Sequence, residues 1–229
     1  MEIRLYTADV GVLADAALFE TLYRAVSPAR REQANRVRPP AGKRLSLGAG
    51  ALLEAALAEL GVRAPRYSYG PNGKPCLADR DDLHFNLSHS GTRVLCAISD
   101  RAVGCDVERL RAARLAVAKR CFCAAEYRAL LDCADEAARD RLFYQLWTLK
   151  ESFMKATGLG FQLPLNAFQL QITENGISVA QQLDARPYCF RSFFTDGYAY
   201  ALCCADRTPD GVGLTERDFP SLAALLTQG

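Results

Sequence analysis

The chain lacks any run of about 18 uncharged apolar residues, so no segment is expected to span a membrane. Its opening segment, MEIRLYTADV, has no cationic lead followed by an apolar core and is not expected to be a secretory signal; the expected address is cytoplasmic. Low-complexity tracts and linkers rich in Gly, Pro or Ser are missing, and with hydrophobic residues at 50% and charged residues at 24% the composition is that of a folded globular chain. Net charge is scarce: 28 Lys and Arg against 26 Asp and Glu leave +2, which argues against a general nucleic-acid binder. Cysteine is present nine times, yet the odd number and the spacings, CFC at 121 and 123 and CC at 203 and 204, lack the C-x-x-C pairs of zinc ligation. Cys96, Cys189, Cys203 and Cys204 lie in apolar, strand-like surroundings, where a thiol acts as a small hydrophobe. The cysteines are therefore expected to be reduced and structural.

What is present is enough chain, 229 residues, for one large domain or two smaller ones. A strand in MEIRLYTADV leads into helical sequence, and Ser27-Pro28 is a cap-and-proline start signal for the next helix. After Pro39 and Pro40, GKRLSLGAGALLEAALAELG reads as a long helix ending at Gly61. GPNGKP is a turn, LHFNLSHSG and TRVLCAISD alternate like a hairpin, and AVGCDVE is a further strand. The second half repeats the order: helical sequence from about Ala116 to Cys133, a long helix from about Glu136 to Thr157, then four strands. This order predicts an α+β fold of two similar lobes, 1–101 and 102–229, each a long helix on a small antiparallel sheet, with a ligand crease between them. Seven basic residues between Arg24 and Arg44 face a single acid, Glu32; the segment fits a phosphate-rich ligand, an acidic partner or a solvated basic face.

The chemistry concentrates in a few segments. In FYQLWTLKESFMKATGLG, Phe143, Leu146, Trp147, Lys150 and Met154 share one helical stripe, with Trp147, Glu151 and Lys155 along its border. On this helix alone, the simpler reading of Glu151 and Lys155 is a solvated i,i+4 pair, a contribution of about 0.2–0.5 kcal/mol. In VGCDVE, strand alternation turns Asp106 and Glu108 to one face beside Gly104, and Val103, Cys105 and Val107 to the other. A lone D-x-E pair more often marks a solvent-facing edge strand. A third carboxylate, Glu151, turns the set into an all-oxygen site suited to Mg²⁺. Lys150 and Lys155 can hold anions as point charges, and metal plus lysines is the equipment of phosphoryl transfer. In FNLSHSG, Ser88, His89, Ser90 and the turn amides form a candidate anion cradle, or else His89 is a structural histidine at a strand end. A nucleophilic Ser–His pair is disfavoured, because adjacent strand residues point to opposite faces. GPNGKP presents Lys74 before the rigid Pro75, without the spacing of a Walker A loop.

Taken together and in this order, GPNGKP, FNLSHSG, VGCDVE and WTLKESFMKATGLG resemble the signature set of the 4'-phosphopantetheinyl transferases, in the larger monomeric branch typified by the activator of surfactin synthetase. SPARRE, KRLSLGAGALL and LPLNAF extend the resemblance over most of the chain. It implies a pseudo-dimeric α+β fold with coenzyme A and Mg²⁺ in the crease, and transfer of phosphopantetheine to a serine of an apo acyl or peptidyl carrier protein. By similarity, Asp106, Glu108 and Glu151 hold Mg²⁺, Glu151 takes the serine proton, and Lys155 neutralises the bridging phosphates. Lys74, Pro75, Ser88 and His89 match positions at the adenosine end and its phosphates, and Arg30 and Arg44 match basic residues near the 3'-phosphate. Two departures stand out. The neutral Gln33 replaces the second member of a basic pair, and Val107 leaves only the alternate carboxylates on the metal face. A coenzyme A-binding regulator without turnover is the competing function; intact Asp106, Glu108, Glu151 and Lys155 speak against it. A nucleic-acid module built on the Arg24–Arg44 segment is the other.

Overall fold

A computed structural model describes residues 2–227 of the protein. Ser27 caps a helix as its chemistry dictates: the side chain accepts from the Arg30 N–H, and Pro28 occupies the first turn, where no N–H is needed. Strand β1 (Arg4–Asp9) runs through a 3-10 turn into α1 (Ala16–Ala25), α2 (Pro28–Asn35) and the long α3 (Pro40–Ala58). Strands β2 (Tyr67–Tyr69) and β3 (Pro75–Leu77) flank the GPNG turn. The next pair, β4 (His84–Ser90) and β5 (Arg93–Ser99), is the expected hairpin, turned at Gly91, whose φ of +60° suits glycine. Strand β6 (Val103–Arg109) follows, and then α4 (Leu115–Cys121), α5 (Ala124–Leu131) and α6 (Glu136–Thr157). The chain closes with β7 (Gln169–Thr173), β8 (Gly176–Ala180), β9 (Tyr188–Thr195), β10 (Tyr198–Ala205), β11 (Leu214–Glu216) and α7 (Phe219–Thr227).

The long helices and the sheets pair as the α+β reading anticipates. Helix α3 buries Leu47, Leu53 and Leu57 with Phe85, Val94 and Ile98 of the first sheet. Helix α6 buries Phe143, Leu149 and Phe153 with Ala199, Ala201 and Cys203 of β10, in a sheet ordered β6-β10-β9. A third apolar cluster, including Leu95, Ala97, Val103, Cys105, Val107 and Tyr200, fills the space between the two sheets. All nine cysteines are free, and Cys96, Cys203 and Cys204 are buried in these clusters. Among the described residues, no helix is long and apolar enough to cross a membrane.

Two features differ from the sequence expectation. The helical stretch expected from Ala116 to Cys133 is broken at Phe122–Cys123, because Phe122 turns extended to bury its ring beside Phe143. A boundary after residue 101 assigns the whole tail to the second lobe. In space the tail returns to the first: β11 pairs parallel with β1, completing the order β11-β1-β5-β4, and Phe219, Leu222 and Ala223 of α7 are buried in the α3 core.

Candidate active site

The site depends on how closely α6 lies on β6. Gly104 is buried under the helix, and a Cβ added there would stand 2.0 Å from Ser152 O and 2.4 Å from Ala156 N. The absent side chain expected to leave room is thus filled by helix backbone. This contact sets Trp147, Glu151 and Lys155, one helical stripe, over Asp106 and Glu108, the outward positions of β6. All five line one cleft of ≈ 750 Å³, within the range of small-molecule sites. A separate groove of ≈ 610 Å³ beside β1 and the 207–215 segment contains none of the expected site residues.

Asp106 is the buried centre of the cluster, 4% exposed. Its Oδ1 accepts from Lys155 Nζ at 2.6 Å and from Ser88 Oγ at 2.6 Å, whereas Oδ2 is buried without a hydrogen-bond partner. An unpaired buried carboxylate oxygen carries a desolvation penalty that a bound cation relieves. Lys155 also donates to Ser88 Oγ at 3.1 Å and Cys105 O at 3.2 Å, so its ammonium protons all have protein acceptors. Burial works against that charge, but Asp106 and its other anionic neighbours outweigh it and hold the Lys155 pKa above the ordinary lysine value. Burial raises the Glu151 pKa, with Asp106 adding to the effect and Lys155 opposing it. Glu108 is likewise raised, first by burial, against the lowering effect of the Ser90 hydroxyl that donates to it at 2.6 Å. These are anions gathered in a partly dry wall, each disfavouring the ionised form of the next.

The donors are hard oxygens, which suits Mg²⁺. Among the described residues, however, no group of three or more His, Cys, Asp or Glu side chains converges closely enough to hold an ion by itself. The three-carboxylate cage expected from Asp106, Glu108 and Glu151 is therefore not closed. The free Asp106 Oδ2 and the neighbouring glutamates still fit a cation that takes one or two carboxylates and completes its shell with water and phosphate oxygens.

Arg30 lines the same cleft. It is 6% exposed, lies over the Tyr67 ring at 4.2 Å and donates through NH1 to Gln33 Oε1 at 2.8 Å. Its Nε is 4.0 Å from Glu54 Oε1, and both Nε and NH2 are buried with no hydrogen-bond partner. Arg30, Gln33 and Pro75 also line an adjoining chamber of ≈ 600 Å³ with Arg36, Arg66 and Tyr69. His89 also lines this cleft and is exposed, with partial desolvation holding the imidazole below its ordinary pKa.

Of the expected anion-holding positions Lys150, Lys74 and Arg44, Lys150 is corrected by the structure. Lys150 is fully buried: Nζ meets Glu126 Oε1 at 2.9 Å, Leu165 O at 2.8 Å and Phe168 O at 2.9 Å, inside the α6 core. The apolar stripe it shares with Phe143 and Met154 faces inward, so it is an internal tie and not a phosphate contact. Lys74 donates to Val103 O at 3.0 Å and to Ala156 O at 3.4 Å near the C-terminal end of α6, where a cation is favoured by the helix dipole. Burial pulls its pKa down to about 8. With Asn72, which donates to Gly158 O at 3.1 Å, it makes the GPNGKP turn a strut onto α6. Arg44 is half-buried on α3, the helix whose Gly42, Ser46 and Ala49 line the cleft. Sequence reasoning did not single out Glu126 or Glu54 as buried partners, because nothing local marks an acid whose counter-charge is 24 residues away in each case (Lys150 and Arg30).

The chain is similar to known proteins. Residues 102–203, which span β6 to β10, match the model of the 4'-phosphopantetheinyl transferase superfamily. The chain is 34% identical over 185 residues to 4'-phosphopantetheinyl transferase Sfp of Bacillus subtilis strain 168, covering 79% of this chain and 82% of that protein. It is 38% identical over 142 residues to 4'-phosphopantetheinyl transferase ffp of Bacillus subtilis, covering 61% of this chain and 63% of that protein. A solved holo-(acyl-carrier-protein) synthase from Bacillus anthracis superposes on 45% of this chain and 94% of its own, with 13% identity and a TM-score of 0.40.

Proposed function

The chain belongs to the 4'-phosphopantetheinyl transferase superfamily, and on that premise we propose that its cleft moves phosphopantetheine from coenzyme A to a serine of an apo carrier protein, releasing 3',5'-ADP. The observation that carries this reading is the buried, unpaired Asp106 Oδ2 beside the Lys155 ammonium, with Glu151 on the same wall. That arrangement fits a pyrophosphate held with a divalent cation. Asp106, Glu108 and Glu151 are the residues that would hold Mg²⁺, with water and phosphate oxygens completing its shell, and the ion would supply charge neutralisation to the pyrophosphate. Glu151 accepts the proton of the attacking serine hydroxyl. The serine oxygen forms its bond to the pantetheine-side phosphorus as the bond from that phosphorus to the bridging oxygen breaks. Lys155, by exchanging one of its protein acceptors for a phosphate oxygen, stabilises the charge left on 3',5'-ADP. Nε and NH2 of Arg30, which lack hydrogen-bond partners, suit a phosphate at the nucleotide end, with Gln33 as a neutral neighbour and His89 and Pro75 at the rim. Both lobes of the crease come from one chain, so a monomer suffices.

The decisive test is incubation of the protein with an apo carrier protein, coenzyme A and Mg²⁺. A carrier mass gain of one phosphopantetheine arm is expected, and it is lost in excess EDTA. Binding of coenzyme A with no mass gain on any carrier favours the regulator reading instead, and full turnover in EDTA removes the metal assignment.

His89→Ala is expected to raise KM for coenzyme A with kcat largely kept, because His89 is assigned to the coenzyme A cradle and not to the attacking hydroxyl. A collapsed kcat at saturating coenzyme A makes His89 a catalytic acid or base.

The carrier is expected to meet the segment after the metal strand. From Arg109 to Phe122 there is no acidic side chain, and Arg111, Arg114, Lys119 and Arg120 are exposed. Arg114 lies 5.3 Å over the Trp147 ring, at the cleft wall. Such a surface complements an acidic helix. Reversing charge at Arg114 and Lys119 should raise KM for carrier and flatten its salt dependence without changing coenzyme A affinity. Normal carrier kinetics in that variant, with a defect on reversal at Arg36 and Arg38, moves the docking face to the amino-terminal basic segment.

A further inference from the structure

Strand β4 lies along the edge of β6 not used by β10, yet no backbone ladder joins them. Side chains from alternate β4 positions do so instead. Asn86 Oδ1 accepts from the Cys105 N–H at 2.8 Å, Ser88 Oγ from the Val107 N–H at 3.4 Å, and Ser90 Oγ from the Arg109 N–H at 3.2 Å. The two serines have a second engagement that the asparagine lacks. Ser88 donates its proton to Asp106 and Ser90 donates its proton to Glu108, each at 2.6 Å. The residue a hydroxyl at 86 would serve in the same way is Gly104, which has no side chain. Hydroxyls thus occur in the row only where a carboxylate follows. Asp106 is additionally gripped by Lys155, whereas Ser90 is the only side-chain hydrogen-bond partner of Glu108 among the described residues.

We propose that Ser90 is a positioning residue for Glu108. The Arg109 N–H fixes one lone pair of the hydroxyl, which aims its proton at Oε2, and the pinned carboxylate presents Oε1 to the cleft. A glutamate has three rotatable side-chain bonds, and holding it in one geometry before the cation arrives removes the ordering cost from binding. The inference rests on the reading above that Glu108 faces a divalent cation.

The test uses Mn²⁺ as the probe, titrated into the coenzyme A-bound protein and followed by the loss of the free-ion electron paramagnetic resonance signal. Removing such an outer partner typically weakens metal binding by about 10- to 100-fold, and that loss is expected for Ser90→Ala. Ser90→Cys, close in shape but a poor donor, should match the alanine variant, and Ser90→Thr should bind like the parent. The thermal upshift produced by Mg²⁺ should shrink in the same order. Parent-like Mn²⁺ affinity in Ser90→Ala overturns the inference, as does parent-like affinity in Ser90→Cys, which would make the role one of shape. If the alanine variant does not fold, the threonine–cysteine contrast decides alone. A parent protein that binds no Mn²⁺ overturns the cation reading itself, a different outcome from equal binding by parent and variants.

Discussion

Glu151→Gln is expected to lower the rate of phosphopantetheine transfer by at least about a hundredfold at saturating coenzyme A and Mg²⁺, with the helical circular-dichroism signal unchanged. The substitution keeps the volume and one carbonyl acceptor, so the α6 packing has no reason to move. It removes the charge and the proton acceptor. Glu151 suits a general base because burial and the neighbouring Asp106 raise its pKa, which brings its proton affinity closer to the working pH. The same residue is a candidate metal ligand, and the two roles separate by titration. If the loss is recovered by raising Mg²⁺, the carboxylate acts chiefly through the cation; if it persists at saturation, proton transfer is the missing step. Turnover within a few-fold of the parent would remove Glu151 from the chemistry altogether.

Gly104→Ala is expected to lower both stability and activity, the second by about a hundredfold. The added methyl has no empty space to enter: Ser152 O and Ala156 N stand 2.0 and 2.4 Å from its position, and both are helix backbone that no rotamer change can clear. Overpacking a core usually destabilises by about 1–3 kcal/mol, and a clash against backbone belongs at the upper end of that range. The functional loss comes from displacement. Helix α6 must rise from β6 by a sizeable fraction of an ångström, carrying Glu151 and Lys155 away from Asp106, and about 1 Å of misplacement can lower a rate by a factor on the order of 10². Thermal denaturation and the transfer assay should therefore fail together, and extra Mg²⁺ should not rescue the variant. A fully active, equally stable Gly104→Ala protein would contradict the close approach of helix and strand.

Much of this was legible in the sequence because it rests on short-range physics. Alternation along Val103–Arg109 placed Asp106 and Glu108 on one face, and the 3.6-residue period placed Trp147, Glu151 and Lys155 on one stripe. Ser27-Pro28 and Gly158 marked helix ends through cap chemistry and left-handed backbone, and the structure has α2 starting and α6 stopping there. What the sequence could not decide was the partner of each charge. Lys150 and Lys155 are neighbours on one helix with the same side chain, yet one faces Glu126 in a closed core and the other faces Asp106 in the cleft wall. Lys74 sits in a turn that looks ready for phosphate, and only the docking of that turn on the end of α6 assigns its ammonium to backbone carbonyls. The returning tail, β11 on β1, was likewise invisible, because parallel pairing over some 200 residues leaves no local pattern. Secondary structure and the chemical identity of the site are properties of neighbouring residues, and the chain states them directly. Which charge neutralises which depends on contacts between distant segments, and those exist only once the sheets and helices have packed.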